Sequence, residues 1–173
     1  MFDSMNIIIS EKLNLILRYA KKDDLEFIRT LSVSEMDNVV NEAWQGKFNW
    51  KSWFRDIDEA IEDKFQRVFI ILIDKLSIGY LWLNEEPEIL WITGFVISEK
   101  WQHQGVGKGI MDYLIEESKK ANKRGIELGV QRNNLKALNF YKKLGFKPFE
   151  YLKYANTDLV RLRIIVPDNL TYD

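Results

Sequence analysis

The sequence predicts an α/β (α+β) domain: a mixed, mostly antiparallel sheet with one parallel strand pair, flanked by helices. Three observations carry this. A dense β-branched run, Val68–Ile73, is followed by two turn signals and two further apolar runs, Ile78–Leu83 and Glu88–Ile97, as in an antiparallel meander. Apolar residues at helical spacing bracket that meander, with Leu25, Ile28 and Leu31 before it and Ile110, Met111, Leu114 and Ile115 after it. The last strand of the meander runs through a loop and a helix into the short apolar strand Ile126–Val130, a crossover expected to be parallel and right-handed.

Residues 1–12 are weakly patterned and read as a loose N-terminal extension or a short edge addition, with Met5 a second possible start. Alternation of Leu13, Leu15, Leu17 and Tyr19 predicts a first strand. Asp23 or Asp24 then caps a helix, and a second helical segment follows from Ser34 to Ala43. Gly46 breaks the pattern inside an aromatic-rich loop, Trp44 to Trp50, before a helix carrying Trp53, Phe54, Ile57 and Ile61. After the meander, the helix that starts near Gly107 stops at Asn122 and Gly125. A further helix, Leu135–Leu144, ends at Gly145, and Phe149–Tyr154 and Leu159–Val166 are two closing strands.

Composition bounds the function. The chain has 173 residues, which suits a single domain spanning 1–173 with a sizeable core. A net charge of −1 gives no electrostatic footprint for nucleic acid or membrane, so neither is expected as a partner. There is no Cys, which removes disulfides, thiolate metal sites and a thiol nucleophile, and a single His builds no metal centre, so no metal is expected. No apolar run is long enough to span a bilayer, and Asp3 and Glu11 interrupt any signal-peptide pattern, so a cytoplasmic location is expected.

The chemistry concentrates in Phe95–Gly109. An apolar strand end passes through a polar turn, Gln102-His103-Gln104, into Gly105-Val106-Gly107-Lys108 and then a helix. The first N–H groups of a helix lack intrahelical partners and carry the positive end of the dipole. Glycines let an anion approach that backbone closely. A dinucleotide fingerprint fails, because Gly109 is out of register, and a Walker loop fails, because Gly107-Lys108 lacks a following hydroxyl. Read alone, the loop is either a pyrophosphate cradle or a helix start packed closely on its neighbours. A second cluster, Asn134-Leu135-Lys136-Ala137-Leu138-Asn139-Phe140-Tyr141, closes on Leu144-Gly145-Phe146. Read alone, Tyr141 is a partly buried helix aromatic with its hydroxyl satisfied.

Taken together, Gln102-x-x-Gly105-x-Gly107 and Asn134-x-x-Ala137-x-x-Phe140-Tyr141-x-x-x-Gly145-Phe146 resemble the two signatures of the GNAT acyltransferases, the Gcn5-related N-acetyltransferases. The element order resembles that family across almost the whole chain. The resemblance implies a central pair of parallel strands that splay apart to admit acetyl-CoA as co-substrate. It implies that Phe95, Val96 and Ile97 offer backbone groups to the pantetheine arm and the acetyl carbonyl. Backbone N–H groups of Gln102, His103, Gln104, Gly105, Val106, Gly107 and Lys108 would hold the pyrophosphate, and Asn134 would bond the cofactor near the next helix.

By the same resemblance the reaction is direct transfer of an acetyl group to a primary amine of a small molecule or protein, with Tyr141 as general acid to the departing thiolate. A frequent position for the base is Gly129 here, which leaves Glu127, or Glu88, working through water, or no dedicated base. Trp44 and Phe48 are expected to wall the acceptor pocket, with Tyr151–Asp158 on the other side, and Trp53 fits core packing better. The chain is expected to be a monomer or homodimer. The alternative is a CoA-binding regulatory module with the same fold and little turnover.

Overall fold

The computed structural model describes residues 6–154 and 157–167. Eight strands form one sheet: β1 (Asn6–Ser10), β2 (Leu15–Tyr19), β3 (Gln66–Ile73), β4 (Leu76–Glu85), β5 (Ile89–Ile97), β6 (Gly125–Gln131), β7 (Lys147–Tyr154) and β8 (Thr157–Ile165). Their spatial order is β1-β2-β3-β4-β5-β6-β8-β7. Every neighbouring pair is antiparallel except β5 with β6. The four α-helices are α1 (Leu25–Ala43), α2 (Trp50–Glu62), α3 (Val106–Lys120) and α4 (Leu135–Lys143).

Strand alternation sends the two sets of side chains to opposite faces of the sheet. On one face Phe69, Ile71, Leu81, Leu83, Leu90, Ile126 and Leu128 pack against Ile110, Met111 and Leu114 of α3 and Tyr141 of α4. On the other, Val68, Ile70, Tyr80, Trp82 and Val96 pack against Ile28 and Leu31 of α1 and Ile57 and Ala60 of α2. Helices α3 and α4 therefore cover one face and α1 and α2 the other, where a groove stays open beside β7 and β8.

Three local outcomes differ from the sequence reading. Asn6–Ser10 forms an edge strand with β2, so the edge addition and not the loose extension describes these residues; Ile7, 8% exposed, anchors it in the core. Residues 1–5 of that expectation lie outside the described residues. The two short helices expected over 24–43 are one continuous helix, since Ser32 donates its hydroxyl to the Ile28 carbonyl (2.7 Å) and leaves the backbone helical. The strand expected from Leu13 begins at Leu15, because Asn14 takes a left-handed turn conformation (φ 46°).

The helix ends follow capping chemistry. Asn49 caps α2 by accepting the Ser52 N–H (3.0 Å), and Asn134 caps α4 by accepting the Ala137 N–H (3.0 Å). At the end of α4, Gly145 is left-handed (φ 93°), its N–H bonds the Lys142 carbonyl (3.1 Å), and the Phe146 N–H bonds the Tyr141 carbonyl (3.0 Å). This is a Schellman stop, and it brings the Phe146 ring against Tyr141 (centroids 5.4 Å). Asn122 (φ 53°) ends α3 in the same way, with the Lys123 N–H on the Ser118 carbonyl (2.9 Å).

Candidate active site

The parallel pair is the feature on which the site is built. Its ladder pairs Ile89 with Gly125, Leu90 with Ile126, Trp91 with Glu127 and Ile92 with Leu128, and ends there. Both strands continue: β5 follows β4 to Ile97, and β6 follows β8 to Gln131. The facing edges of Thr93–Ile97 and Gly129–Gln131 are therefore splayed and without strand partners in each other. An irregularity in the β4–β5 register falls between Ile92 and Gly94, which turns β5 away from β6 where the ladder stops. An extended ligand can complete such edges as an added strand would.

Immediately beyond the splay lies the glycine loop. The Trp101 N–H reaches the Ser98 carbonyl (2.8 Å) and the Gln102 N–H the Glu99 carbonyl (3.1 Å), in a single tight helical turn. The Gln102 side chain donates to the Ile97 carbonyl (2.6 Å), tying the loop to the end of β5. His103 (φ 61°) and Gly105 (φ 84°) are both left-handed, and Gly105 is the N-cap of α3. A Cβ on Gly105 would meet no atom within 4 Å, so the space in front of the helix start is open. The Gly109 N–H bonds the Gly105 carbonyl (2.9 Å). Among the described residues the N–H groups of His103, Gln104, Gly105, Val106, Gly107 and Lys108 have no acceptor, as a helix start dictates.

These features fit the pantetheine and pyrophosphate of acetyl-CoA: unpaired strand edges for the amides, then an array of free N–H groups for the phosphates. One expected contact is revised, and two residues of the loop have a further role. Gln102 has already spent its own N–H on Glu99, so the array begins at His103 and Gln102 shapes the loop. The Lys108 ammonium pairs with Asp112 on its own helix (2.5 Å), which leaves the Lys108 N–H in the array. Gly107 keeps a free N–H and also serves packing, because a Cβ there would lie 3.2 Å from Phe140 Cζ and 3.6 Å from Ile97 Cδ1. That contact joins the two sequence clusters in space: α4 sits beside the loop because Gly107 leaves room for Phe140.

Tyr141 is 7% exposed and packs edge-on to Phe140 (5.1 Å) and Phe146 (5.4 Å). Its hydroxyl has no hydrogen-bond partner among the described residues, unlike the satisfied tyrosine that the helix alone suggests. Burial pushes its pKa up, so it carries its proton at any physiological pH.

The carboxylates expected as bases are placed elsewhere. Glu127 is 5% exposed at its side chain, and its oxygens accept from Arg161 Nη2 (3.1 Å) and Arg163 Nε (2.7 Å). Arg161 also binds Glu150 (2.6 Å) and stacks on Trp91 (4.8 Å to the centroid) and Phe149 (5.1 Å). Glu127 thus pins β8 and β7 to β6 and is not an open base. Glu88 pairs with Arg124 (3.3 Å) at the start of β5, and a nine-residue strand puts it about 30 Å from the glycine loop. A side chain at Gly129 would meet Leu159 Cδ2 at 3.0 Å, so that position has no room for a carboxylate without moving Leu159.

Trp44 and Phe48 pack on each other (5.6 Å), and Phe48 packs on Trp50 (4.7 Å) and Trp53 (6.3 Å). Trp53 continues the cluster to Trp82 (5.1 Å). A groove of about 420 Å³ opens instead on the uncovered sheet face, lined by Gln66, Asn84, Glu86, Trp91, Thr93, Leu152, Leu159 and Arg161. Thr93 is the first β5 residue beyond the paired ladder, so the groove reaches the splay from the face opposite α3. Leu152, from the segment expected on the other side of the pocket, and Leu159, just beyond that segment, line this groove, while Ala155 and Asn156 of that expectation lie outside the described residues. Trp44 and Phe48 do not line the groove. Trp91 and Thr93 were readable from the alternation of β5, which sends them opposite Leu90 and Ile92. Arg161 and Gln66 carried no such signal, since their role depends on which strands become neighbours.

Comparison with known proteins agrees with this geometry. The Acetyltransferase (GNAT) family matches residues 25–146. An uncharacterized N-acetyltransferase of Methanocaldococcus jannaschii is 28% identical over 161 residues, covering 83% of this chain and 67% of that protein. A spermidine N-acetyltransferase of Vibrio cholerae, solved with CoA and spermine, superposes with a TM-score of 0.67 at 22% identity, covering 88% of this chain and 96% of that one. An acetyltransferase of Salmonella typhimurium that modifies the N-terminal serine of ribosomal protein L7/L12 gives a TM-score of 0.74 at 16% identity, covering 94% and 99%. Among the described residues, no helix is long and apolar enough to cross a membrane. With both signatures folded into one site, the chain belongs to the GNAT family of acetyltransferases.

Proposed function

We propose that the protein transfers an acetyl group directly from acetyl-CoA to a primary amine of a small molecule or a protein. The observation that carries this reading is the splay itself: unpaired edges at Thr93–Ile97 and Gly129–Gln131 leading straight to the free N–H groups of His103–Lys108. The donor lies between β5 and β6 with its phosphates on the start of α3. The neutral amine enters from the groove on the opposite face, past Thr93 and Trp91. Its nitrogen attacks the thioester carbonyl, the C–N bond forms, and the C–S bond breaks with its electron pair on sulfur. Backbone N–H groups near Ile97 stabilise the oxyanion. Tyr141, in the general-acid position, donates a hydrogen bond to the leaving sulfur as charge develops, and any proton it passes on is replaced from water.

Burial makes Tyr141 a weaker acid than an ordinary phenol, while a free thiol titrates near 8.5, so the hydroxyl acts chiefly by donating to the thiolate as it forms. With Glu127 held by two arginines and Gly129 blocked by Leu159, no side chain is assigned as base, and the ammonium proton leaves to water. Both spermidine and a ribosomal-protein N-terminus are acceptors named for proteins of similar fold, and both are amines. The test is CoA release from acetyl-CoA against a panel of polyamines, amino acids, aminoglycosides and peptides. Amine-dependent CoA release with acetylated product establishes the reading. Tight acetyl-CoA binding with no turnover on any amine would instead favour a CoA-binding regulatory module.

A further inference from the structure

The helix α1 touches both lips of the splay. On the β5 side, the Glu35 carboxylate accepts the Glu99 N–H at Oε1 (2.9 Å) and the Gln102 Nε2 at Oε2 (3.3 Å). The same Gln102 nitrogen donates to the Ile97 carbonyl (2.6 Å), so one carboxylate orders both ends of the turn that precedes the N–H array. On the β6 side, Asn133 Nδ2 donates to the Val39 carbonyl (3.1 Å) and to the Glu42 carboxylate (2.9 Å). Glu35, Val39 and Glu42 are spaced four and three residues apart, which places them on one face of α1.

We propose that α1 is a brace across the mouth of the splay, and that Glu35 is a positioning residue for the acetyl-CoA cradle, acting through Gln102. The proposal rests on the acetyl-CoA reading above. A carboxylate is the suitable group, because it accepts on two oxygens at once and holds a backbone N–H and a side-chain amide together. The helix that fixes the cofactor loop continues at Trp44 into the chain that covers the second sheet face, so a change at Glu35 reaches the cradle without touching the groove.

The test is a double-mutant cycle on acetyl-CoA affinity, measured by titration calorimetry, with Glu35→Ala, Gln102→Ala and the pair. Each single variant is expected to weaken binding about tenfold, the scale of one lost hydrogen bond to a charged group, and the pair to weaken it no further than the worse single variant. Glu35→Gln, which keeps the length and one acceptor oxygen, should recover part of the loss. The amine KM at saturating acetyl-CoA should stay within twofold of wild type. In the cofactor-free protein, the Glu99 amide should exchange faster in Glu35→Ala. Additive losses in the pair, or a lower melting temperature with unchanged acetyl-CoA affinity, would overturn the brace while leaving the function reading intact. Failure of the wild-type chain to bind acetyl-CoA would instead overturn that reading and the brace with it.

Discussion

At the scale of single residues, the site depends on what two side chains lack. Tyr141 lacks a hydrogen-bond partner among the described residues, and Gly105 lacks a Cβ. Tyr141→Phe keeps the ring contacts with Phe140 and Phe146 and removes the donor alone. Single-turnover acetyl transfer should fall by about 100- to 10,000-fold, or somewhat less because a thiolate leaves tolerably unprotonated, with acetyl-CoA affinity and melting temperature nearly unchanged. A rate near wild type would make Tyr141 a packing residue. Gly105→Asp puts a carboxylate into the open space beside the free N–H groups, at a left-handed backbone position (φ 84°). The strain should cost about 1 kcal/mol, and acetyl-CoA binding should drop below detection by calorimetry in a protein that still unfolds cooperatively. Gly105 and Tyr141 were both legible in the sequence, since each belongs to a spaced pattern. The fate of Glu127 was not, because its arginine partners come from β8, whose pairing with β6 no local pattern encodes.

At the scale of elements, the strand and helix boundaries were legible to within a few residues wherever periodicity met a cap. The meander, the Asn122 stop and the Gly145 stop all follow that rule. The edge strand Asn6–Ser10 was legible only as one of two readings, because its Ile7-Ile8-Ile9 run is too short to show alternation. The aromatic loop packs on itself and on Trp53, and neither Trp44 nor Phe48 lines the groove, a placement that no local pattern encodes. Phe48→Ala should therefore lower stability by about 1–3 kcal/mol with little change in amine KM, whereas Trp91→Ala should raise the amine KM more than the acetyl-CoA KM. The reverse pattern would return the acceptor to the loop.

The entry into α1 yields a pH prediction. Burial would raise the Asp24 pKa, but the two hydrogen bonds from Arg18 (2.8 and 3.0 Å) and one from the Lys21 N–H (2.7 Å) outweigh it and hold the pKa below its ordinary value. A depressed folded-state pKa contributes stability above the unfolded value, about 3.9, that is lost as pH falls through the folded one. Asp24→Asn should cost about 1 kcal/mol at neutral pH, and the deficit should shrink in melts recorded between about pH 4 and 2. A deficit that is the same at both ends of that window would mean the carboxylate charge is not what matters.

For the whole molecule, one sheet separates two jobs. The face covered by α3 and α4 carries the N–H array and Tyr141, and the partly open second face carries the groove. They communicate where β5 and β6 part company after Ile92 and Leu128. The central claim is that acetyl-CoA occupies that gap and ends on the start of α3. Amide hydrogen exchange with and without acetyl-CoA measures this most directly. The account predicts slowed exchange confined to the free edges at 93–97 and 129–131 and to the N–H groups of 103–108, with β2, β3 and the groove strand β7 unchanged. Unaltered exchange in 93–97 and 103–108 under saturating acetyl-CoA, or protection centred elsewhere, would contradict it.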